Sequence, residues 1–281
     1  MAKEYIQRAF DWADRVVSEA GCKVPPVDLH AIACLTGVRH LELCLMVHRG
    51  ALVPVHGGYE LFLRSTEPAI LDLTKPEDPN LLTTRQRLAF AHEVAHIRFF
   101  KNSGGTPLPT DEVEDERELE DLCDSIARRI LVPQRMLLKE ISGGPGDADH
   151  IDSEFVHAMK LKFRASYEVI ISRINLSNLK NGSPRCIVLV RSQNGVHKVI
   201  EWYFGLRILS ILTPPKERYQ PLRDWFKEAP DGFERGFTSK EEQMRMRKKA
   251  LILRRFPIGR GEDFLLQVDE VSEDAFVNEQ A

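Results

Sequence analysis

The segment His92-Glu93-Val94-Ala95-His96 constrains this chain more than any other feature. Apolar Phe90, Ala91, Val94, Ala95 and Ile97 surround its polar residues, which predicts a buried helix. A buried His-Glu-His cluster is costly unless something partners it. Positions i and i+4 share one face of a helix, so the two imidazoles converge on one point and suit a single metal ion. Glu93 lies one residue further round, within reach of a water at that ion. This is the HExxH arrangement of zinc hydrolases, in which the carboxylate is the general base. The chain must therefore bury this helix while leaving one side of it open.

Catalytic zinc takes a third protein ligand and keeps its fourth position free. Residues 111–121, of which 8 of 11 are Asp or Glu, lead into a helical segment at 122–132 that buries Ile126, Ile130 and Leu131 and stops at Pro133. Glu116, Glu120 and Asp124 share one face of this helix. Glu120 stands where charged sequence gives way to packed sequence, and it is the expected third ligand. Asp124, one turn later, is placed to hydrogen-bond a ligand histidine. Glu116 and Glu118 read as solvated charge.

Around these helices the pattern is mixed. Helical spacing predicts a helix at 5–20 closed by Gly21, and a short one from Asp28 to Gly37. Residues 41–47, 51–55 and 59–63 read as short strands, with Gly57-Gly58 as a hairpin turn and a further strand near 70–73. The HExxH helix is expected over 85–100. Gly143-Gly144-Pro145-Gly146 reads as a linker. Beyond it, 154–163 and 166–176 outline two helices with a tight turn at Arg164-Ala165, as in a helix-turn-helix. Residues 186–190 and 196–204 form a hairpin pattern, 264–268 a strand, and 240–250 a basic amphipathic helix. The organisation expected is α+β: a domain of helices and a small sheet carrying the HExxH site at 1–142, a helix-turn-helix-like segment at 148–182, and a β-containing domain at 186–281.

Composition excludes several function classes. Hydrophobic residues make up 43 % and charged residues 29 %, with a mean hydropathy of -0.28, which is ordinary for a soluble globular chain. No apolar run approaches the roughly 18 residues that span a bilayer. The N-terminal residues lack the pattern of a secretory signal, so a cytoplasmic location is expected. Five scattered cysteines (Cys22, Cys34, Cys44, Cys123, Cys186) without a CxxC pair exclude a disulfide framework or a cysteine zinc knuckle. The net charge of -3 averages two unlike halves: residues 1–150 hold 17 Lys+Arg against 24 Asp+Glu, and residues 151–281 hold 22 against 18.

Arg85-Gln86-Arg87-Leu88-Ala89-Phe90-Ala91-His92-Glu93-Val94-Ala95-His96, followed by Glu120-Asp121-Leu122-Cys123-Asp124-Ser125-Ile126-Ala127 and Ile130-Leu131-Val132-Pro133, resembles the ImmA/IrrE family of metallopeptidases. The resemblance extends over about residues 5–180, including Pro26-Val27-Asp28-Leu29 and the hairpin at 50–63. Ala95, Leu88 and Asp124 depart from the family's usual Gly, Phe and Asn without altering a ligand, and residues 101–118 hold no tyrosine to assist an oxyanion. The resemblance implies a zincin-like domain with His92, His96 and Glu120 on zinc and Glu93 as catalytic base, and it makes Cys123, which stands where the family has a small residue, a packing residue rather than a ligand. It also implies cleavage of a helix-turn-helix transcriptional repressor, as in stress-response regulation. Such ligand sets accept manganese as well as zinc.

The C-terminal half has no comparable motif. Lys160, Lys162, Arg164 and Arg173 are few for a nucleic-acid surface. Lys240, Arg245, Arg247, Lys248, Lys249, Arg254, Arg255 and Arg260 form a richer basic run, opposed by only Glu241 and Glu242. It reads first as a solvated face, and residues 186–281 as a sensing or substrate-recognition module. Three functions compete: a zinc endopeptidase acting on a regulatory protein, a non-catalytic metal-binding regulator with a protein or nucleic-acid partner, and a hydrolase of another bond on the same site.

Overall fold

The computed structural model describes residues 2–75, 81–101, 105–110, 112–113, 115–142, 151–176, 185–193, 196–204, 241–246, 249–257 and 264–271. Among them the chain is α+β, with seven helices and three sheets. It divides into two compact units, Met1–Leu137 with Met159–Val169, and Leu138–Ala158 with Ile170–Ala281. The predicted linker at 143–146 lies outside the described residues. No helix among them is long and apolar enough to cross a membrane.

The first unit opens with α1 (Ala2–Glu19) and α2 (Leu29–Thr36). The Asp28 side chain accepts from the His30 and Ala31 amides to start α2, and Gly37 ends it in the left-handed region at φ 78°, with its N–H turned back to Ala33 and Cys34. Four strands follow: β1 (Val38–Cys44), β2 (Gly50–Val55), β3 (Gly58–Arg64) and β4 (Ala69–Leu71), in the spatial order β2-β3-β1-β4. β2 and β3 form the expected hairpin, turning at Gly57 with φ 77°, whereas β1 lies parallel to β3. β2 is therefore an edge strand.

The helix carrying the HExxH segment is α3 (Thr84–Ile97). A capping box starts it: Thr83 Oγ1 accepts from the Gln86 amide while the Gln86 side chain accepts from the Thr83 N–H. It ends earlier than the apolar pattern suggests, because the chain tightens at Arg98 and Phe100 leaves the helix to pair with Pro109 in a two-stranded ribbon, β5 (Phe100–Lys101) and β6 (Leu108–Pro109). Arg87, Phe90, Ala91, Val94 and Ala95 are fully buried, so α3 is enclosed on most sides.

α4 (Glu116–Leu131) is capped by Asp115, which accepts from the Arg117 and Glu118 amides. Its apolar stripe of Leu122, Cys123, Ile126, Ala127, Ile130 and Leu131 is buried, and α1 joins it through an Asp14–Arg129 ion pair and a Tyr5–Glu118 hydrogen bond. Val132 leaves the α region at φ -129° and ψ 77°, as Pro133 after it favours, and α5 (Gln134–Ser142) follows.

The two helices expected beyond the linker are α6 (Ser153–Phe163) and α7 (Tyr167–Leu176), with Arg164 between them at φ 50°. Arg164 donates to the Leu82 carbonyl, Lys160 lies over the Tyr167 ring, and Arg173 is buried, so these cations of the segment are used inside the protein.

The second unit holds an antiparallel sheet, β8-β7-β11-β10-β9, from β7 (Arg185–Gln193), β8 (Val196–Phe204), β9 (Glu241–Met246), β10 (Lys249–Pro257) and β11 (Phe264–Val271). Ile187, Leu189, Leu265 and Gln267 are buried, and Gln267 accepts from the Ser153 amide at the start of α6. The amphipathic helix expected at 240–250 is not present: Glu241–Met246 and Lys249–Pro257 are paired strands. The apolar run Leu251-Ile252-Leu253 suits a strand with a neighbour on each side, and Glu241 stands opposite Arg254 in the register. Cross-strand pairing overrides the helical spacing of the cations there.

Candidate metal centre

The geometry of α3 and α4 assembles the site. Positions 92 and 96 lie one turn apart on α3, and the imidazole Nε2 atoms of His92 and His96 are 3.2 Å from each other. From α4, Glu120 places Oε2 3.1 Å from His92 Nε2 and Oε1 3.3 Å from His96 Nε2. These residues form the one group among the described residues whose donors could hold a metal ion together. Three ligands at zinc bond lengths of about 2.0–2.1 Å in a tetrahedron stand roughly 3.3–3.4 Å apart. Each imidazole faces a different oxygen of the Glu120 carboxylate, and the three spacings are close to those that the donors of a single ion require. Glu120 is half exposed while both histidines are largely covered, so the site opens to solvent on the side of α4.

The outer ring nitrogens are engaged as well. His92 Nδ1 donates to Asp124 Oδ1 at 2.8 Å, which leaves Nε2 turned toward Glu120. His96 Nδ1 lies 3.5 Å from Cys123 Sγ, within hydrogen-bond reach of the thiol. Sequence reasoning treats Cys123 as packing alone. The signal available for more was its position three residues after Glu120 on the same helix.

Burial and charge set the protonation of the cluster. Burial lowers the His92 pKa, but the hydrogen bond His92 donates to Asp124 and the charges of Asp124, Glu93 and Glu120 outweigh it, so the pKa lies above the usual value. His96 goes the other way, lowered by burial and by His92. The bond to His92 holds the Asp124 carboxyl low, assisted by Arg128 and Arg49. Desolvation, with the nearby carboxylates, pushes the Cys123 thiol far up, so it stays neutral.

Glu93 is 8 % exposed, and burial pushes its pKa up to about 7. A carboxyl poised near neutrality both takes and returns a proton. Its side chain lies against Gly50, the first residue of β2, a contact that the sequence pattern does not reveal. The structure brings together His92, His96, Glu120, Glu93 and Asp124, while Glu116 and Glu118 are exposed.

No model of a known protein family matches the chain, and a search of curated proteins finds no similar one.

Proposed function

We propose that the chain is a zinc-dependent endopeptidase of the ImmA/IrrE type that works in the cytoplasm on a regulatory protein, a helix-turn-helix repressor being the substrate the family resemblance suggests. The observation that carries this reading is the cluster of His92, His96 and Glu120 with the buried Glu93 carboxyl on the neighbouring position of α3. Zinc, or manganese, held by those three residues supplies Lewis acidity toward a peptide carbonyl and acidifies water at the site. Glu93 takes the proton of the attacking water on its carboxylate and returns it to the leaving amine nitrogen. Asp124 and Cys123 hold the two imidazoles in the tautomer that directs Nε2 inward. Among the described residues β2 is an edge strand whose first residue lies beside Glu93, a position that suits a peptide adding as an extended strand.

A nucleic-acid reading has less support, since Lys160, Arg164 and Arg173 are occupied within the protein. The test incubates the zinc-loaded chain with a proteome-derived peptide library and reads new N-termini by mass spectrometry. Cleavage that chelation abolishes and that Glu93→Gln loses while keeping its metal is the expected result. A purified wild type without stoichiometric zinc or manganese, or cleavage that survives Glu93→Gln, overturns the reading.

A further inference from the structure

Glycine at position 50 has no explanation in its own backbone. Gly37 and Gly57 have positive φ, but Gly50 pairs with Leu63 in an ordinary extended conformation. A glycine in a strand gives up side-chain packing and backbone order, and it often marks a place where something approaches closely. Here the neighbour is Glu93. An ideal Cβ on residue 50 would lie 2.6 Å from Glu93 Oε1, 2.8 Å from Cγ and 3.0 Å from Cδ.

The contact with Cγ decides the matter. A clash with the carboxylate oxygen alone is relieved by rotating the end of the side chain. Cγ sits next to the helix, so relieving a 2.8 Å contact requires a different χ1 for Glu93 or a shift of α3 from β2. Neither is free. Glu93 is nearly enclosed, Val94 and Ala95 beside it are fully buried, and the ligand histidines flank it on the same helix. Of the described glycines, Gly57 and Gly58 also lie close to a neighbour, but theirs are Arg39 and the Gly37 carbonyl, away from the site.

We propose that Gly50 is a positioning residue for Glu93: its missing side chain is the space that keeps the carboxylate beside His92, His96 and Glu120. The consequence for hydrolysis rests on the peptidase reading, whereas the coupling between positions 50 and 93 does not.

A four-protein melting cycle tests the coupling in the metal-free state at one pH, using wild type, Gly50→Ala, Glu93→Ala and the double variant. Gly50→Ala lowers the melting temperature by about 3–8 °C when Glu93 is present. It leaves the temperature unchanged or raises it when residue 93 is alanine, because the methyl group then has room and the unfolded chain loses freedom. If Gly50→Ala fails to fold alone, rescue by Glu93→Ala is the expected result. A second measurement uses cobalt-loaded protein and acetohydroxamate, a chelator whose hydroxyl needs an acceptor beside the metal. Gly50→Ala keeps cobalt affinity within about threefold but binds acetohydroxamate roughly tenfold more weakly, as Glu93→Ala does. Equal melting shifts in both backgrounds, failure to fold in both, or acetohydroxamate affinity kept in Gly50→Ala while lost in Glu93→Ala, overturns the proposal. Should the wild type cleave no peptide, the peptidase reading fails and the melting cycle still decides the role of Gly50.

Discussion

Replacing Glu93 by glutamine keeps the shape of the side chain and removes its titration, which exposes what burial does to this carboxyl. Its pKa rises from 4.5 to about 7, chiefly by desolvation. At ~1.4 kcal/mol per pKa unit, that rise corresponds to at most about 3 kcal/mol of pH-dependent stability. The folded protein binds the proton more tightly than the unfolded chain, so this stability is fully present below pH 4.5 and is lost as pH rises through about 7. Glutamine has nothing to lose. The two histidines titrate in both proteins and largely cancel in the comparison. Urea unfolding of chelator-treated wild type and Glu93→Gln, followed by far-ultraviolet circular dichroism from about pH 4.5 to about pH 8.5, therefore shows the wild type losing about 3 kcal/mol relative to the variant. Zinc flattens the wild-type curve, because a cation beside Glu93 favours its charged form. Stability curves that run parallel to within about 1 kcal/mol would refute the claim that burial governs this carboxyl.

Three further outcomes follow from the same contacts. Asp124→Ala frees the His92 ring and weakens zinc binding by about 10–100-fold in competition with a chromophoric chelator; an unchanged affinity would mean that the His92 hydrogen bond does not orient the ligand. Chelation lowers the melting temperature of metal-loaded wild type, by the equivalent of about 2.7 kcal/mol when free zinc was at a hundred times its dissociation constant, and leaves His92→Ala where it was. Gly37→Ala forces an alanine into the left-handed cap at φ 78° and costs about 1–2 kcal/mol in a thermal melt, with metal affinity unaffected.

Much of the first unit is legible in sequence because its signals are local. Asp28 and Gly37 bracket α2 through hydrogen bonds that span two to four residues, and Gly57 turns the β2–β3 hairpin by its own φ angle. The i, i+4 rule puts His92 and His96 on one face, and the shift from charge to apolar residues at Glu120 orients α4. What cannot be read is pairing at a distance. Nothing in the residues 38–44 announces a parallel partner at 58–64, because β2 lies between them in the chain and both orientations bury the same alternate side chains. The 240–250 segment fails for the same reason: its cations recur at helical spacing, yet the strands on either side of β10 decide its conformation.

The site divides along the same line, and the division bears on chemistry. Ligand identity is written in short spacing, whereas ligand orientation is written in contacts between elements. Cys123 meets His96 across 27 residues of chain and Gly50 meets Glu93 across 43, each through a single atom or a missing one. A pattern match on HExxH plus glutamate is blind to both. Two chains with the same motif can therefore differ in whether the carboxylate stands where a proton must be taken. In this chain β2 leaves that position clear only because residue 50 carries no side chain. The residues proposed to hold a metal lie on α3 and α4, and the proposed use of that metal depends also on the edge strand beside them.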